Sequence, residues 1–160
     1  LNRDSRILEI GANVGTQLEA LRQMGFDDLL GIELLDYAVE RAREERPDTP
    51  IYFGEAGNLP FEDDKFDLIF TSGVLIHIPE ERLVSTLQEI TRCTRQYVWG
   101  YEYFADERTE ITYRGQEGML WKDDYATAYA EHCPLELRKE VRLPYVDESV
   151  CDSMFLLEHV

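Results

Sequence analysis

Apolar residues gather in short blocks along the chain, and the segments between the first blocks have helical spacing. The blocks predict five β-strands, at residues 6–10, 29–33, 51–53, 66–70 and 97–101. The fourth block is almost continuously apolar, which is typical of a strand buried on both faces. Helices are predicted at residues 14–24, 37–43 and 79–92. In the last of these, Leu83, Leu87 and Ile90 share one face.

Glycine, aspartate and proline mark where the first two helices begin and end. Gly25 follows the first helix at the position of a C-cap. Asp36 is predicted to cap the second helix, which Pro47 and Pro50 prevent from continuing. Residues 58–61 are expected to form a loop or a single helical turn.

The last third of the chain has a different pattern. Residues 105–121 are polar and aromatic, with two glycines, and predict a loop or a small hairpin. Asp123 or Asp124 is expected to cap a helix that ends near His132. Two strands should follow, at 135–141 and 154–160, joined by a turn-rich segment around Pro144. This pair most simply closes the sheet as an antiparallel edge.

Strands that alternate with helix-length connections predict an α/β fold with right-handed crossovers. We expect a doubly wound, mostly parallel seven-stranded Rossmann-like sheet with an antiparallel edge strand. Since no repeat, low-complexity tract or linker is found, residues 1–160 are predicted to form one domain.

Charge and cysteine content narrow the range of partners. The formal net charge is -17, from 16 Lys and Arg against 33 Asp and Glu, and this acidity disfavours nucleic acid and anionic membranes. Three cysteines without CxxC spacing predict no disulfide framework and no metal site, which suits the reducing cytoplasm. The chain opens at Leu1 without a methionine, so we expect that a native N-terminal segment precedes it. The oligomeric state is not predicted.

The carboxyl ends of parallel strands form the rim on which such folds bind ligands. The first, second, third and fourth strands would bring to this rim residues 9–15, Glu33, Glu55 and residues 71–77. Glycines in the first loop permit close backbone approach to a ligand, and a carboxylate at Glu33 can accept hydrogen bonds from ribose hydroxyls. Taken alone, the same residues are equally compatible with a tight turn and a solvated strand end.

Four segments together resemble the class I S-adenosylmethionine-dependent methyltransferases. They read ILEIGANVG, GIELLDYAVERAR and, across the third and fourth loops, FGEAGNLPFEDDKFDLIFTSGVLIHIP. Two later stretches, EITRCTRQYVWGYEYF and TYRGQEGMLWKDDYA, are similar to the methyltransferases associated with pseudaminic acid biosynthesis, a bacterial surface-glycan group. In related enzymes the segment before the first strand often acts as a lid.

The resemblance implies S-adenosylmethionine as the cofactor and a role for each matching position. The methionine end would be lined by Glu9, Gly11, Asn13 and Gly15. Glu33 would hold the ribose, with Leu34 against the adenine. Glu55 would take the adenine amino group and Ala56 would offer its backbone N–H. Beside the sulfonium would lie Thr71, Ser72 and Gly73, while Leu75 and Ile76 would cover the other adenine face.

Acidic residues suit this ligand better than a dinucleotide. S-adenosylmethionine carries a sulfonium and an ammonium, whereas the same carboxylates would repel a pyrophosphate. Asn13 replaces the glycine that lets a pyrophosphate approach closely, which departs from the broad pattern of the superfamily.

Candidate groups for methyl transfer follow the fourth and fifth strands. His77 is the candidate general base for a small-molecule acceptor, because an unperturbed imidazole suits proton transfer near neutral pH. Glu102 and Tyr103 are expected after the fifth strand, on the same rim, as further catalytic candidates. Tyr113 and Arg114 would bind a sugar or a carboxylate of the acceptor. Two alternatives stay open: a non-catalytic cofactor-binding module and an NAD-dependent oxidoreductase.

Overall fold

The computed structural model describes residues 1–145 and 151–160, and within them the chain forms nine strands and four α-helices. The strands are β1 Ile7–Ile10, β2 Leu29–Glu33, β3 Ile51–Phe53, β4 Phe66–Ser72, β5 Thr94–Phe104, β6 Thr109–Glu110, β7 Trp121–Lys122, β8 Leu135–Pro144 and β9 Cys151–His159. The helices are α1 Thr16–Gln23, α2 Asp36–Glu45, α3 Glu80–Cys93 and α4 Tyr125–His132. A short 3-10 turn spans Leu75–His77.

Seven strands form one sheet in the order β3-β2-β1-β4-β5-β9-β8, which confirms the predicted α/β sheet. The first five strands in this order pair in parallel, and β9 runs antiparallel to both β5 and β8. The antiparallel strand therefore lies one place in from the edge, which β8 occupies. Pro144 is the last residue of β8, and residues 146–150 of the predicted turn segment lie outside the described residues.

Helices cover both faces of the sheet, each over its own apolar cluster. α3 and α4 pack through Leu87, Ile90 and Tyr129 over one face. α1 and α2 cover the other through Leu18 and Val39. Because both faces of the sheet are covered, β1 has no exposed residue, and its one carboxylic acid, Glu9, is buried as well.

The helix ends follow local chemistry, with one correction. Gly25 has a φ of 89° and its N–H donates to Arg22, so it ends α1 as predicted. Asp124 caps α4 by accepting a hydrogen bond of 3.0 Å from the N–H of Thr127, also as predicted. Asp36 is not a cap: it is the first residue of α2, Leu35 stands at the N-cap, and no side chain bonds there.

Residues 105–122 contain a small second sheet, formed by β6 and β7 in antiparallel pairing. This confirms the hairpin alternative. We refer to residues 105–122 as the insertion. Among the described residues, no helix is long and apolar enough to cross a membrane.

Candidate functional site

The loop between β1 and α1 adopts a left-handed backbone at three positions. Gly11 has a φ of 73°, Asn13 of 48° and Gly15 of 77°. Asparagine is among the few side chains that tolerate this conformation, which explains how Asn13 occupies a position where glycine is common. Gly11 also faces the side chain of Val74, and any Cβ at position 11 would overlap it. The loop is thus fitted closely against the chain that follows β4.

Glu33, at the end of β2, is fixed against this loop. Its two carboxylate oxygens accept backbone N–H groups from Asn13 at 2.8 Å and from Leu35 at 2.9 Å. The side chain is 7% exposed. Each oxygen still has a lone pair, so an oriented carboxylate beside the glycine loop is available to the hydroxyls of a ligand.

Glu9, in β1, lies beneath the same loop and is 2% exposed. Burial raises its pKa to about 8; the N–H of Leu18 acts against this and the neighbouring Glu33 reinforces it. Its Oε2 has no hydrogen-bond partner among the described residues. A buried acid with a free oxygen is favourable for a cationic ligand group, which would stabilise the ionised form.

The adenine positions predicted on the second and third loops differ in exposure. Leu34 is 58% exposed. Phe53, which pairs with Glu33 in the sheet, is 57% exposed. Phe53 was not predicted to be exposed at this rim, because its apolar side chain fitted a buried strand equally well. Ala56 is buried. Glu55 is half-exposed and forms an ion pair of 3.1 Å with Arg82.

After β4 the chain turns inward rather than lining an open surface. Thr71 is buried and Ser72 ends the strand. Gly73, with a φ of 67°, donates its N–H to the carbonyl of Tyr101 at 2.9 Å. Leu75 and Ile76 are packed in the apolar core. The expectation that these two side chains cover an adenine face is corrected on this point, because core packing leaves them little free surface.

His77 is exposed at the end of the 3-10 turn and contacts the insertion. Its Nδ1 lies 2.9 Å from the carbonyl oxygen of Met119, and its ring is 6.4 Å from the ring of Tyr113. A carbonyl only accepts hydrogen bonds, so Nδ1 is the donor in this contact, and a neutral ring with this contact has its lone pair on Nε2.

Arg108 fastens the insertion to the same turn. Its guanidinium donates to the carboxylate of Asp123 at 2.9 Å and to the carbonyl of Ile78 at 2.6 Å, and lies 5.2 Å from the ring centre of Trp121. Sequence reasoning missed Arg108; its only signal is a single cation within an acidic stretch. Arg114, which was predicted, has a φ of 51° and lies over the Tyr113 ring at 5.2 Å.

The expectation for Glu102 and Tyr103 is wrong in position. Both lie within β5, which continues to Phe104, and not after it. Glu102 is 1% exposed and its carboxylate accepts N–H groups from Val74 at 3.2 Å and Ile76 at 3.4 Å, so it faces the turn after β4. Burial raises its pKa to about 7, against the effect of the Thr71 hydroxyl and of these N–H groups. Tyr103 is half-buried opposite Asp152 of β9.

The carboxyl ends of β1, β2 and β4 thus form a connected site with a cation-favouring acid, an oriented carboxylate and a fixed imidazole. These residues fit the charges of S-adenosylmethionine. Within residues 1–145 and 151–160, no group of three or more His, Cys, Asp or Glu is arranged to hold a metal ion.

Comparison with known proteins agrees with this chemistry. The sequence model of the family described as methyltransferase domain matches residues 8–99. No match is found among curated proteins. The fold is similar to that of an S-adenosylmethionine-dependent methyltransferase from Methanosarcina mazei, with a TM-score of 0.81 and 14% identity over 100% of this chain and 94% of the other.

Two further solved structures are similar in fold. One is an S-adenosylmethionine-dependent methyltransferase from Mesorhizobium loti, with a TM-score of 0.78 and 12% identity over 99% of this chain and 94% of the other. The second is the 1,6-didemethyltoxoflavin-N1-methyltransferase of Burkholderia thailandensis, solved with bound 1,6-didemethyltoxoflavin and S-adenosylhomocysteine. Its TM-score is 0.78 and its identity 13%, over 99% of this chain and 72% of the other.

Proposed function

Since the chain belongs to the methyltransferase domain family, and S-adenosylmethionine is its cofactor, we propose that it transfers the methyl group to a small-molecule acceptor. The observation that carries this proposal is the pairing of two buried acids around the glycine loop. Glu9 has a free carboxyl oxygen and Glu33 is held by two N–H groups. Such a site favours a ligand with positive charge and vicinal hydroxyls.

Each end of the cofactor has a proposed set of partners. The ammonium of its methionine part binds near Glu9, with Gly11, Asn13 and Gly15 shaping the loop around it. The ribose hydroxyls donate to Glu33. The adenine lies at the exposed apolar residues Leu34 and Phe53, with the backbone N–H of Ala56 and the carboxylate of Glu55 at its polar edge. For Glu55 this requires exchange of its ion pair with Arg82.

The bound cofactor supplies an electrophilic methyl group on a sulfonium, beside Thr71, Ser72 and Gly73. The chain itself must align the acceptor and keep water away, since displacement at carbon depends on in-line geometry. His77 accepts the proton that an attacking hydroxyl or amine gives up, and it does so at Nε2. The Met119 carbonyl holds the other ring nitrogen in its protonated state. Tyr103 lies near the carboxyl end of β5 and is proposed to contact the acceptor.

The acceptor is proposed to be an amino-sugar or nucleotide-sugar of surface-glycan biosynthesis. The resemblance of residues 89–104 and 112–126 to methyltransferases of pseudaminic acid biosynthesis supports this. Tyr113 and Arg114 give it a physical basis, because an aromatic ring stacks on a sugar face and a guanidinium pairs with phosphate or carboxylate. Both residues are exposed in the insertion, and the ring of Tyr113 lies 6.4 Å from that of His77.

Binding and turnover are tested separately. Calorimetric titration with S-adenosylmethionine and with NAD identifies the cofactor, and we expect binding of the former alone. Incubation with methyl-labelled S-adenosylmethionine and a panel of nucleotide-sugars then tests transfer. His77→Gln should abolish most labelling, whereas His132→Gln, at an exposed histidine of α4, should not. Binding without labelling of any acceptor in the panel would favour a non-catalytic cofactor-binding module.

A further inference from the structure

The carboxylate of Glu102 is placed beneath the turn that follows β4. Its Oε1 accepts the N–H of Val74 at 3.2 Å and its Oε2 accepts the N–H of Ile76 at 3.4 Å. Both N–H groups lie in the short segment that connects β4 to α3. A single side chain on β5 therefore satisfies two backbone donors of this segment, at positions 74 and 76.

Val74 connects this segment to both halves of the proposed site. Its side chain packs directly on Gly11, in the contact that leaves no room for a Cβ on the glycine. Its carbonyl oxygen accepts the N–H of His77 at 3.0 Å. Movement of Val74 therefore changes both the loop proposed to hold the cofactor and the imidazole proposed to act as base.

Stability alone does not account for a carboxylate at this position. Glu102 is 1% exposed, and its neighbours are the hydroxyl of Thr71 and, from α4, the phenols of Tyr125 and Tyr129, which supply no positive charge. Replacing buried charge by a well-packed apolar side chain is often neutral or stabilising. An acid at this position, despite the cost of burial, points to a requirement for the geometry of the turn.

We propose that Glu102 is a positioning residue, whose contacts with Val74 and Ile76 fix the turn that aligns the glycine loop with His77. The inference rests on the proposed function for its link to catalysis. This role replaces the expected direct contact between Glu102 and the acceptor. Glu102 then acts through the backbone of the turn, on the glycine loop and on His77.

The test compares Glu102→Gln with Asp152→Asn in the full chain. The glutamine is nearly isosteric, but its amide nitrogen cannot accept an N–H, so one of the two bonds is lost. Asp152 is a matched control, since it is equally buried on the adjacent strand, 1% exposed, and bonds to Tyr101 and Tyr145 and not to the turn. S-adenosylhomocysteine serves as the calorimetric probe, and the ring resonances of His77 report on its position by NMR.

We expect Glu102→Gln to weaken S-adenosylhomocysteine binding about tenfold or more and to shift the His77 resonances. The folded Asp152→Asn variant should change neither. A folded Glu102→Gln with unchanged affinity and unchanged His77 resonances would overturn the proposal. If Glu102→Gln does not fold, Glu102→Asp keeps the carboxyl group but withdraws it by one methylene, and the same two readouts then decide. Should the unaltered protein not bind S-adenosylhomocysteine, the proposed function fails, while the His77 resonances still test Glu102.

Discussion

The Nδ1 atom of His77 lies 2.9 Å from the carbonyl oxygen of Met119, across an interval of 42 residues. One residue belongs to the turn after β4 and the other to the insertion. The contact leaves Nε2 as the nitrogen that can accept a proton. It also brings the insertion into direct contact with the proposed base.

We predict that His77 is the Nδ1-protonated tautomer when neutral. Two-dimensional NMR of ¹⁵N-labelled protein, with long-range couplings to the ring protons, distinguishes the tautomers directly. With an acceptor identified, His77→Gln should lower kcat roughly 10²- to 10⁴-fold, because proton removal is lost. Affinity for S-adenosylmethionine should stay the same. A dominant Nε2-protonated form would contradict the proposed base.

Gly11→Ala is expected to destabilise the fold more than Gly115→Ala does. Both glycines have a positive φ, 73° and 79°, so both substitutions strain the backbone by roughly 1 kcal/mol. Only at Gly11 does the new methyl group overlap Val74, whereas no atom of the described residues lies within 4 Å of the position at Gly115. The overlap adds about 1–3 kcal/mol. Chemical denaturation of both variants measures the difference, and equal losses would show that the loop adjusts freely.

The buried Glu9 should make the free protein less stable as pH rises. Its pKa is raised from 4.5 to about 8, so the folded chain holds a proton that the unfolded chain has released. The resulting stabilisation is complete below pH 4.5 and is lost as pH rises through about 8. Glu9→Gln should therefore reduce the loss of unfolding free energy over this interval by roughly a few kcal/mol. Glu40→Gln, at an exposed position of α2, is the control and should retain the loss seen in the unaltered protein.

Binding of S-adenosylmethionine near pH 7 should release a proton. The ammonium proposed to lie beside Glu9 favours the ionised carboxylate and so lowers the raised pKa of this group. Calorimetry in buffers with different ionisation enthalpies gives the number of protons exchanged. We expect a clear net release that is diminished in Glu9→Gln. The same release in both proteins would place the proton on another group.

Local pattern was sufficient to predict the sheet and most of the rim. Apolar blocks identified the parallel strands, and alternation with helices predicted covering of both faces. Asp124 caps α4 and Gly25 ends α1, as the chemistry of an aspartate carboxylate and the backbone freedom of glycine predicted. Asp36 did not, because the backbone of Leu35 occupies the cap position and the helix begins one residue earlier.

What the sequence could not predict depends on contacts between distant residues. Glu102 was expected on the rim because β5 was predicted to end at residue 101; pairing with β9 continues the strand to Phe104. Met119 contributes only a carbonyl oxygen, which leaves no signal in the choice of side chain. Arg108 is recognisable only once its partners Asp123 and Ile78 are known.

The central claim, that the glycine loop and Glu33 hold S-adenosylmethionine, is tested most directly by calorimetric titration of the unaltered protein and Glu33→Ala. We predict one binding site in the unaltered protein. The variant should bind about 1–3 kcal/mol more weakly, because the ribose hydroxyls lose a charged hydrogen-bond acceptor. No binding to the folded unaltered protein, or equal affinity in the two proteins, would contradict the claim.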